Sequence, residues 1–276
     1  MSAHFGATLR MLRIDAGFSL GALAKKIGVS SAYLSRVEHG HDAAPTTDRL
    51  FDIARALGVP PHLLVDLAHK VDPYVGRYLE RVPAAGLLFL EIARRDLGPA
   101  ELARIKAFID EQFPRSAALH DVWRSRRLSD HVTPESVVAG LHCGELEDAI
   151  DLAAAKLVCP GEPVDAPRVA QAIQTREREA ASLLGGGLAV PHAADPRVPR
   201  RAAVVTLAEP LVLATPDGAP VRVVVVLYGG APGQSELELL ARVARLAHPT
   251  VVDALAQASS ELEVLAELAR LELAFG

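Results

Sequence analysis

Pro191-His192 closes the stretch Gly185-Gly186-Gly187-Leu188-Ala189-Val190, in which three glycines lead into a short apolar run. Pro191 fixes its own φ and keeps Val190 extended, so the imidazole is expected at a strand end rather than on a loose loop. A fixed neutral imidazole is a nucleophile. Arg176, sixteen residues upstream at the end of an expected helix, offers a guanidinium to the oxygens of a phosphoryl group. The glycine N–H groups are further candidates for holding an anion. Positioning and neutralisation of oxygen charge are what phosphoryl transfer requires. Spacing alone leaves a structural histidine as the alternative.

A second group of residues suits a different chemistry. Ala24, Ile27, Val29, Leu34 and Val37 have the spacing that locks two short helices at a steep angle, with Gly28 at the sharp turn between them. Ser31, Ala32, Ser35 and Arg36 then point outward from the second helix, and Tyr33 lies at its edge. A helix of this size fits the major groove of B-DNA. Arg36 reaches a guanine edge or a phosphate, and Ser30 and Ser31 bind phosphate near the helix N-terminus. The alternative is a helical bundle without DNA affinity.

The elements that must position these groups follow from periodicity. Phe5, Leu9 and Leu12 share one helical face, and Gly17 ends that helix. Ser19 caps a second helix over 20–27, and Ser30 caps a third that runs to about Val37. Thr46 or Thr47 opens a fourth that ends at Gly58, and Pro60-Pro61 precedes a short fifth. Two longer helices are expected over 76–96 and 99–113. Residues 114–127, with Pro114, Arg124, Arg126 and Arg127, make a candidate linker. Beyond them, helices at about 145–158 and 165–181 precede β-like runs at 188–190, 202–207, 211–214 and 221–228. Helices return at 234–247, 249–257 and 260–273. Tyr228-Gly229-Gly230 is expected to end a strand and shape the rim around His192. The expected architecture is a multidomain one: an all-α helix-turn-helix bundle, a helical connector, and an α/β domain with a mixed sheet flanked by helices. The boundaries are 1–70, 71–127 and 128–276.

Gly17-Phe18-Ser19, Leu23-Ala24, Ile27-Gly28-Val29-Ser30, Tyr33-Leu34-Ser35-Arg36-Val37-Glu38 and Ala56-Leu57-Gly58-Val59 make residues 5–68 resemble the Xre family of helix-turn-helix domains, the lambda-repressor-like type. Leu20 stands where that family usually has a glutamine. Residues 128–276 resemble the enzyme IIA domain of the bacterial phosphotransferase system, in its fructose/mannitol/nitrogen class. Leu128-Ser129-Asp130, Thr133 to Val138, Arg176-Glu177 and Leu188 to His192 carry that likeness. The resemblance implies that His192 is the phosphoacceptor, that Arg176 is a supporting cation, and that a phosphorylated HPr-like carrier protein is the donor. It also implies a second active-site histidine near residue 235, where this chain has Ser235-Glu236-Leu237. Glu236 occupies that place, either repelling an incoming phosphoryl group or orienting the His192 ring. Ala193 and Ser182 stand where the family commonly has glycine and threonine.

With 276 residues, half of them hydrophobic, the chain has length for about two domains of roughly 150 residues. Residues 1–70 carry eight Lys/Arg against six Asp/Glu, whereas residues 131–276 carry eleven against nineteen. Different partners for the two ends follow, although the front is far from strongly basic. Two cysteines make no disulfide framework, and the longest apolar run, Val223–Tyr228, is too short for a bilayer. No signal-peptide run is seen, and a reduced, cytoplasmic setting is expected. His39-Gly40-His41, His62 with His69, and His142-Cys143 lack metal-site spacing, so neither metal nor cofactor is expected. The expected whole is a DNA-binding transcription regulator, homodimeric and without a membrane partner, that senses phosphotransferase-system state through His192. A phosphocarrier serving a permease, and a regulator whose back end only docks a protein or small ligand, are the alternatives.

Overall fold

The computed structural model describes residues 2–69, 73–113 and 127–275. Residues 114–126, which hold most of the expected linker with Arg124 and Arg126, lie outside the described residues.

Five short helices open the chain: α1 (Ser2–Asp15), α2 (Leu20–Lys26), α3 (Ser31–Glu38), α4 (Thr47–Leu57) and α5 (Pro61–Leu67). Their ends are local events. The Ser19 side chain accepts from the Ala22 N–H, and that of Ser30 from the Tyr33 N–H. Gly58 closes α4 in the left-handed conformation. Phe5, Leu9, Leu12, Leu23, Leu34, Leu50, Ile53 and Leu63 fill the interior. At Gly6 a Cβ would stand 2.3 Å from the Val37 carbonyl oxygen, so glycine is what lets α1 lie against α3. Arg13 and Glu38 form a buried bidentate pair at 2.6 and 2.8 Å, and Arg13 Nη1 also donates to the Phe18 carbonyl at 2.8 Å. That pair ties the end of α1 to the end of α3.

Three further helices follow: α6 (Pro73–Arg81), α7 (Pro83–Arg94) and α8 (Pro99–Gln112). The single helix expected over 76–96 is therefore two. Pro83 has no N–H to give and pushes Val82 out of helical geometry, to φ −129 and ψ 79. Leu87, Leu88, Phe89 and Leu90 on α7, and Phe108 and Ile109 on α8, are exposed.

A 3-10 turn (Leu128–His131) leads into the α/β domain, with β1 (Val132–Leu141), α9 (Leu146–Leu157), α10 (Ala166–Glu179), β2 (Leu183–Gly185), β3 (Leu188–Ala189), β4 (His192–Ala193), β5 (Arg201–Leu211), β6 (Val221–Tyr228), α11 (Gln234–Ala244), α12 (Pro249–Gln257) and α13 (Glu261–Phe275). The sheet order is β1-β5-β6-β3-β2, with β4 also on β6. β1 runs parallel to β5, β3 and β4 run parallel to β6, and β5 runs antiparallel to β6, so the sheet is mixed. Strand β1 escaped the sequence reading because Pro134-Glu135 interrupts its apolar pattern. The runs at 202–207 and 211–214 are one strand that ends at Leu211, with an irregular register between Thr206 and Leu211.

Strand alternation divides the sheet between two cores. Ala203, Val205, Val224, Val226 and Tyr228 face α9 and α10. Ala202, Val204, Val223, Val225 and Leu227 belong to the other core, with α11, α12 and α13. The helix-turn-helix unit joins that second core: α1 packs on β2 and α11, and α5 packs on α11. Helix α11 is buried nearly all round, with Leu237, Leu239, Leu240, Ala241, Val243 and Ala244 inside, because it is covered by the sheet on one side and by the bundle on the other.

Candidate functional site

His192 opens β4 and pairs in register with Leu227 of β6, whose N–H donates to the Pro191 carbonyl at 3.0 Å. The side chain is 2 % exposed. Its Nδ1 lies 2.7 Å from the Val190 carbonyl oxygen. That oxygen can only accept, so Nδ1 carries a hydrogen and Nε2 is the nitrogen left for chemistry.

Arg176 comes to the same place from the last turn of α10. Its Nη1 donates to the Ala180 carbonyl at 2.9 Å, which fixes the plane of the guanidinium. Its Nε and Nη2 both reach Asp15 Oδ1, at 3.0 and 2.8 Å. Asp15 Oδ2 stands 3.1 Å from His192 Nε2. Asp15 is the last residue of α1, so the helix-turn-helix unit sets a carboxylate between the two groups that the sequence put forward as phosphoacceptor and cation. Burial opposes ionisation of this carboxyl. Hydrogen bonding and attraction from His192, then from Arg176, outweigh it and hold Asp15 below the usual carboxylate range.

Glu236 lies in the first turn of α11 and is buried, but it is engaged elsewhere. Arg200 Nη1 donates to its Oε1 at 3.0 Å, and Arg200 Nη2 donates to the Ala231 carbonyl at 3.3 Å. The orienting contact on the His192 ring is the Val190 carbonyl instead. Ser182 is held by Glu177, which accepts from its backbone N–H at 2.8 Å and from its hydroxyl. The glycine run does not line the site. Gly187 sits level with Val223 on β6, four residues from Leu227, which is about 13 Å at 3.3 Å per residue. The Gly186 N–H donates to Asp217 at 2.7 Å, and a Cβ there would stand 2.5 Å from the Ala247 carbonyl oxygen. These glycines serve a tight turn and a close packing contact, not an anion. At the rim, β6 ends at Tyr228, and Gly229 donates to the Ala193 carbonyl at 3.2 Å. The Tyr228 hydroxyl donates to Asp195 at 2.7 Å. Burial first, then that carboxylate, push the phenol up to about 12.

The front site has the opposite character. Ser30, Ser31, Ala32 and Arg36 are exposed, and Tyr33 and Ser35 are half-buried at the edge of α3. Arg36 is 54 % exposed, and its Nε donates to Asp42 at 3.0 Å. Asp15 and Arg200 are the residues that the sequence reading missed. Asp15 lies 177 residues from the ring that it meets. Arg200 had only its place in the basic pair Arg200-Arg201 before β5 to mark it.

Residues 130–270 match the family described as phosphoenolpyruvate-dependent sugar phosphotransferase system, EIIA 2. The chain belongs to this family. Residues 4–67 match a helix-turn-helix domain, so a helix-turn-helix domain is joined to the enzyme IIA domain. The front is similar to the HTH-type transcriptional regulator SinR of Bacillus subtilis (strain 168), 33% identical over 67 residues, which is 24% of this chain and 60% of that protein. It is also similar to the HTH-type transcriptional regulator SutR of Escherichia coli (strain K12), 33% identical over 75 residues, 27% of this chain and 42% of that protein. The chain thus spans less than two thirds of either relative. The nitrogen regulatory protein IIA-Ntr of Neisseria meningitidis has a similar solved structure, with TM-score 0.45 and 24% identity over 51% of this chain and 98% of that one. Among the described residues, no helix is long and apolar enough to cross a membrane, and no group of three or more His, Cys, Asp or Glu side chains could hold a metal ion.

Proposed function

We propose that this protein is a DNA-binding transcription regulator whose enzyme IIA domain senses phosphotransferase-system state through phosphorylation of His192. The observation that carries the reading is the His192 ring itself. It is buried at a strand end, with Nδ1 on the Val190 carbonyl and Nε2 beside an arginine-bearing helix end. In the transfer, the Nε2 lone pair attacks the donor's phosphorus. The Nε2–P bond forms as the donor's bond to phosphorus breaks and its electron pair returns to the donor. Arg176 neutralises charge on the phosphoryl oxygens. An HPr-like phosphocarrier is the donor, and a cytoplasmic setting suits that reading.

The DNA contacts are Ser30, Ser31, Ala32, Tyr33, Ser35 and Arg36, read as a major-groove helix with phosphate contacts at its start. Residues 1–70 form the reading head, 71–127 the connector and 128–276 the sensor. A homodimer on a two-fold site suits this arrangement. The exposed apolar side chains of α7 and α8 are the surface for it.

One observation favours a second reading, in which the enzyme IIA domain only docks a protein or small ligand. Glu236, in the place of the second histidine, is already paired with Arg200. The test is phosphate incorporation from phosphoenolpyruvate, enzyme I and an HPr-type carrier, read as intact mass, with His192→Ala as control. Acid-labile label in the wild type that vanishes in His192→Ala supports phosphorylation sensing. No label with several carriers overturns it in favour of docking.

A further inference from the structure

The interface between the two domains ends in a charge arrangement that the apolar core does not need. Asp15 places one oxygen 3.1 Å from His192 Nε2 and the other 2.8 and 3.0 Å from two nitrogens of Arg176. A carboxylate oxygen has no hydrogen to give, so the contact with Nε2 is a hydrogen bond only when Nε2 is protonated. A protonated nitrogen has no lone pair for phosphorus. The same contact leaves Asp15 10 % exposed and His192 2 % exposed, so a donor has no path to the ring while α1 is seated. The rest of the interface fastens the seat: His4 Nδ1 contacts the Leu184 carbonyl at 2.8 Å, and Arg245 pairs with Asp66 at 3.4 Å.

Resting on the reading of His192 as phosphoacceptor, we propose that Asp15 is a built-in competitor of the phosphoryl group, so that seating of the DNA-reading domain and phosphorylation of His192 exclude one another. Opening moves Asp15 away, returns the Nε2 proton to solvent and exposes the lone pair. Transfer then forms the Nε2–P bond. The phosphoryl oxygens take over the Arg176 contacts, and their charge repels the returning Asp15 carboxylate. Ser31, Ala32 and Arg36 are exposed in the seated state. The lock therefore governs where the reading head is held on the sensor, not whether its recognition helix is covered. In a dimer, that placement sets the spacing of two reading heads.

The test uses the full chain and potassium phosphoramidate, a chemical donor that needs no partner protein. Ammonia leaves as the Nε2–P bond forms. Intact mass follows labelling above a His192→Gln background, and amide hydrogen exchange follows residues 182–192 and 234–244. Because labelling scales with the open fraction, Asp15→Ala is expected to label at least about tenfold faster than the wild type. Arg245→Ala, which loosens the same interface away from His192, is expected to gain about two- to fivefold. Phosphorylated wild type is expected to lose exchange protection in both segments. Equal labelling of wild type and Asp15→Ala overturns the proposal, as does phosphorylated protein that keeps full protection. If neither protein labels, the phosphoacceptor reading fails, and exchange alone then judges the contact. Faster exchange in Asp15→Ala supports Asp15 as the lock, and unchanged exchange overturns it.

Discussion

Helix α3, the proposed recognition helix, and the His192 site, the proposed phosphoacceptor, treat their arginines in opposite ways. Arg36 is 54 % exposed, and it pairs with Asp42 within the same short segment. Arg176 is 14 % exposed and is fixed by Ala180, the residue just past its own helix, and by Asp15 from the other domain. An exposed arginine can leave its partner for a phosphate at little cost, because water already screens the pair. A buried one exchanges partners only when a second anion replaces the first, because an unpaired buried charge is costly. On the proposed reading, the front site is therefore ready to bind, whereas the back site must first be opened.

The contrast can be broken most strongly from the inside. Arg13→Ala leaves Glu38 buried without its partner and is expected to destabilise the helix-turn-helix unit by about 3–5 kcal/mol. A urea titration followed by the signal of the N-terminal helices checks this. Leu240→Ala in α11 removes a fully buried side chain from the core that both domains share, at about 2–5 kcal/mol. Because that core is continuous, one coincident transition for the two domains should move to lower urea. Two separated transitions would show that the domains are not coupled.

Arg36→Ala sharpens the comparison from the exposed side. It should cost about 1–3 kcal/mol of affinity for a selected operator and leave the urea midpoint unchanged. Unchanged affinity would remove Arg36 from the reading face. The smallest effect is a pH dependence. Burial lowers the pKa of His4 from 6.5, so the folded interface holds it neutral more strongly than the open chain does. Its contribution is present above pH 6.5 and is lost as pH falls through the lowered value. Asp15, also lowered, loses its contribution only below the ordinary carboxylate value of 3.8. Exchange protection of residues 182–192 should therefore fall as pH drops below 6.5 by a component that His4→Gln abolishes, while the Asp15 component persists until pH falls below 3.8.

Local patterns carried most of the fold. Ser19, Ser30 and Gly58 mark helix ends by chemistry that acts within four residues, and the structure places those ends where the caps put them. The long Val-rich strand was legible because both of its faces are buried. What failed were patterns with two readings. Pro83 split an apolar helix that looked continuous, and Pro134 hid a strand. The glycines at 185–187 looked like an anion cradle beside His192, yet the turn lies at the other end of the strand pairing.

The sequence by itself put forward the residues proposed to do chemistry here, because a proline-fixed histidine, a helix-end arginine and a capped short helix after a sharp turn are all written within short windows. Only the tertiary structure decided what those residues face. Asp15 reaches His192 across 177 residues, and Glu236 turns to Arg200 because β5 begins beside α11. Both are pairings of charges from distant segments. Such pairings are selected by the packing of one domain on another, which no local spacing encodes.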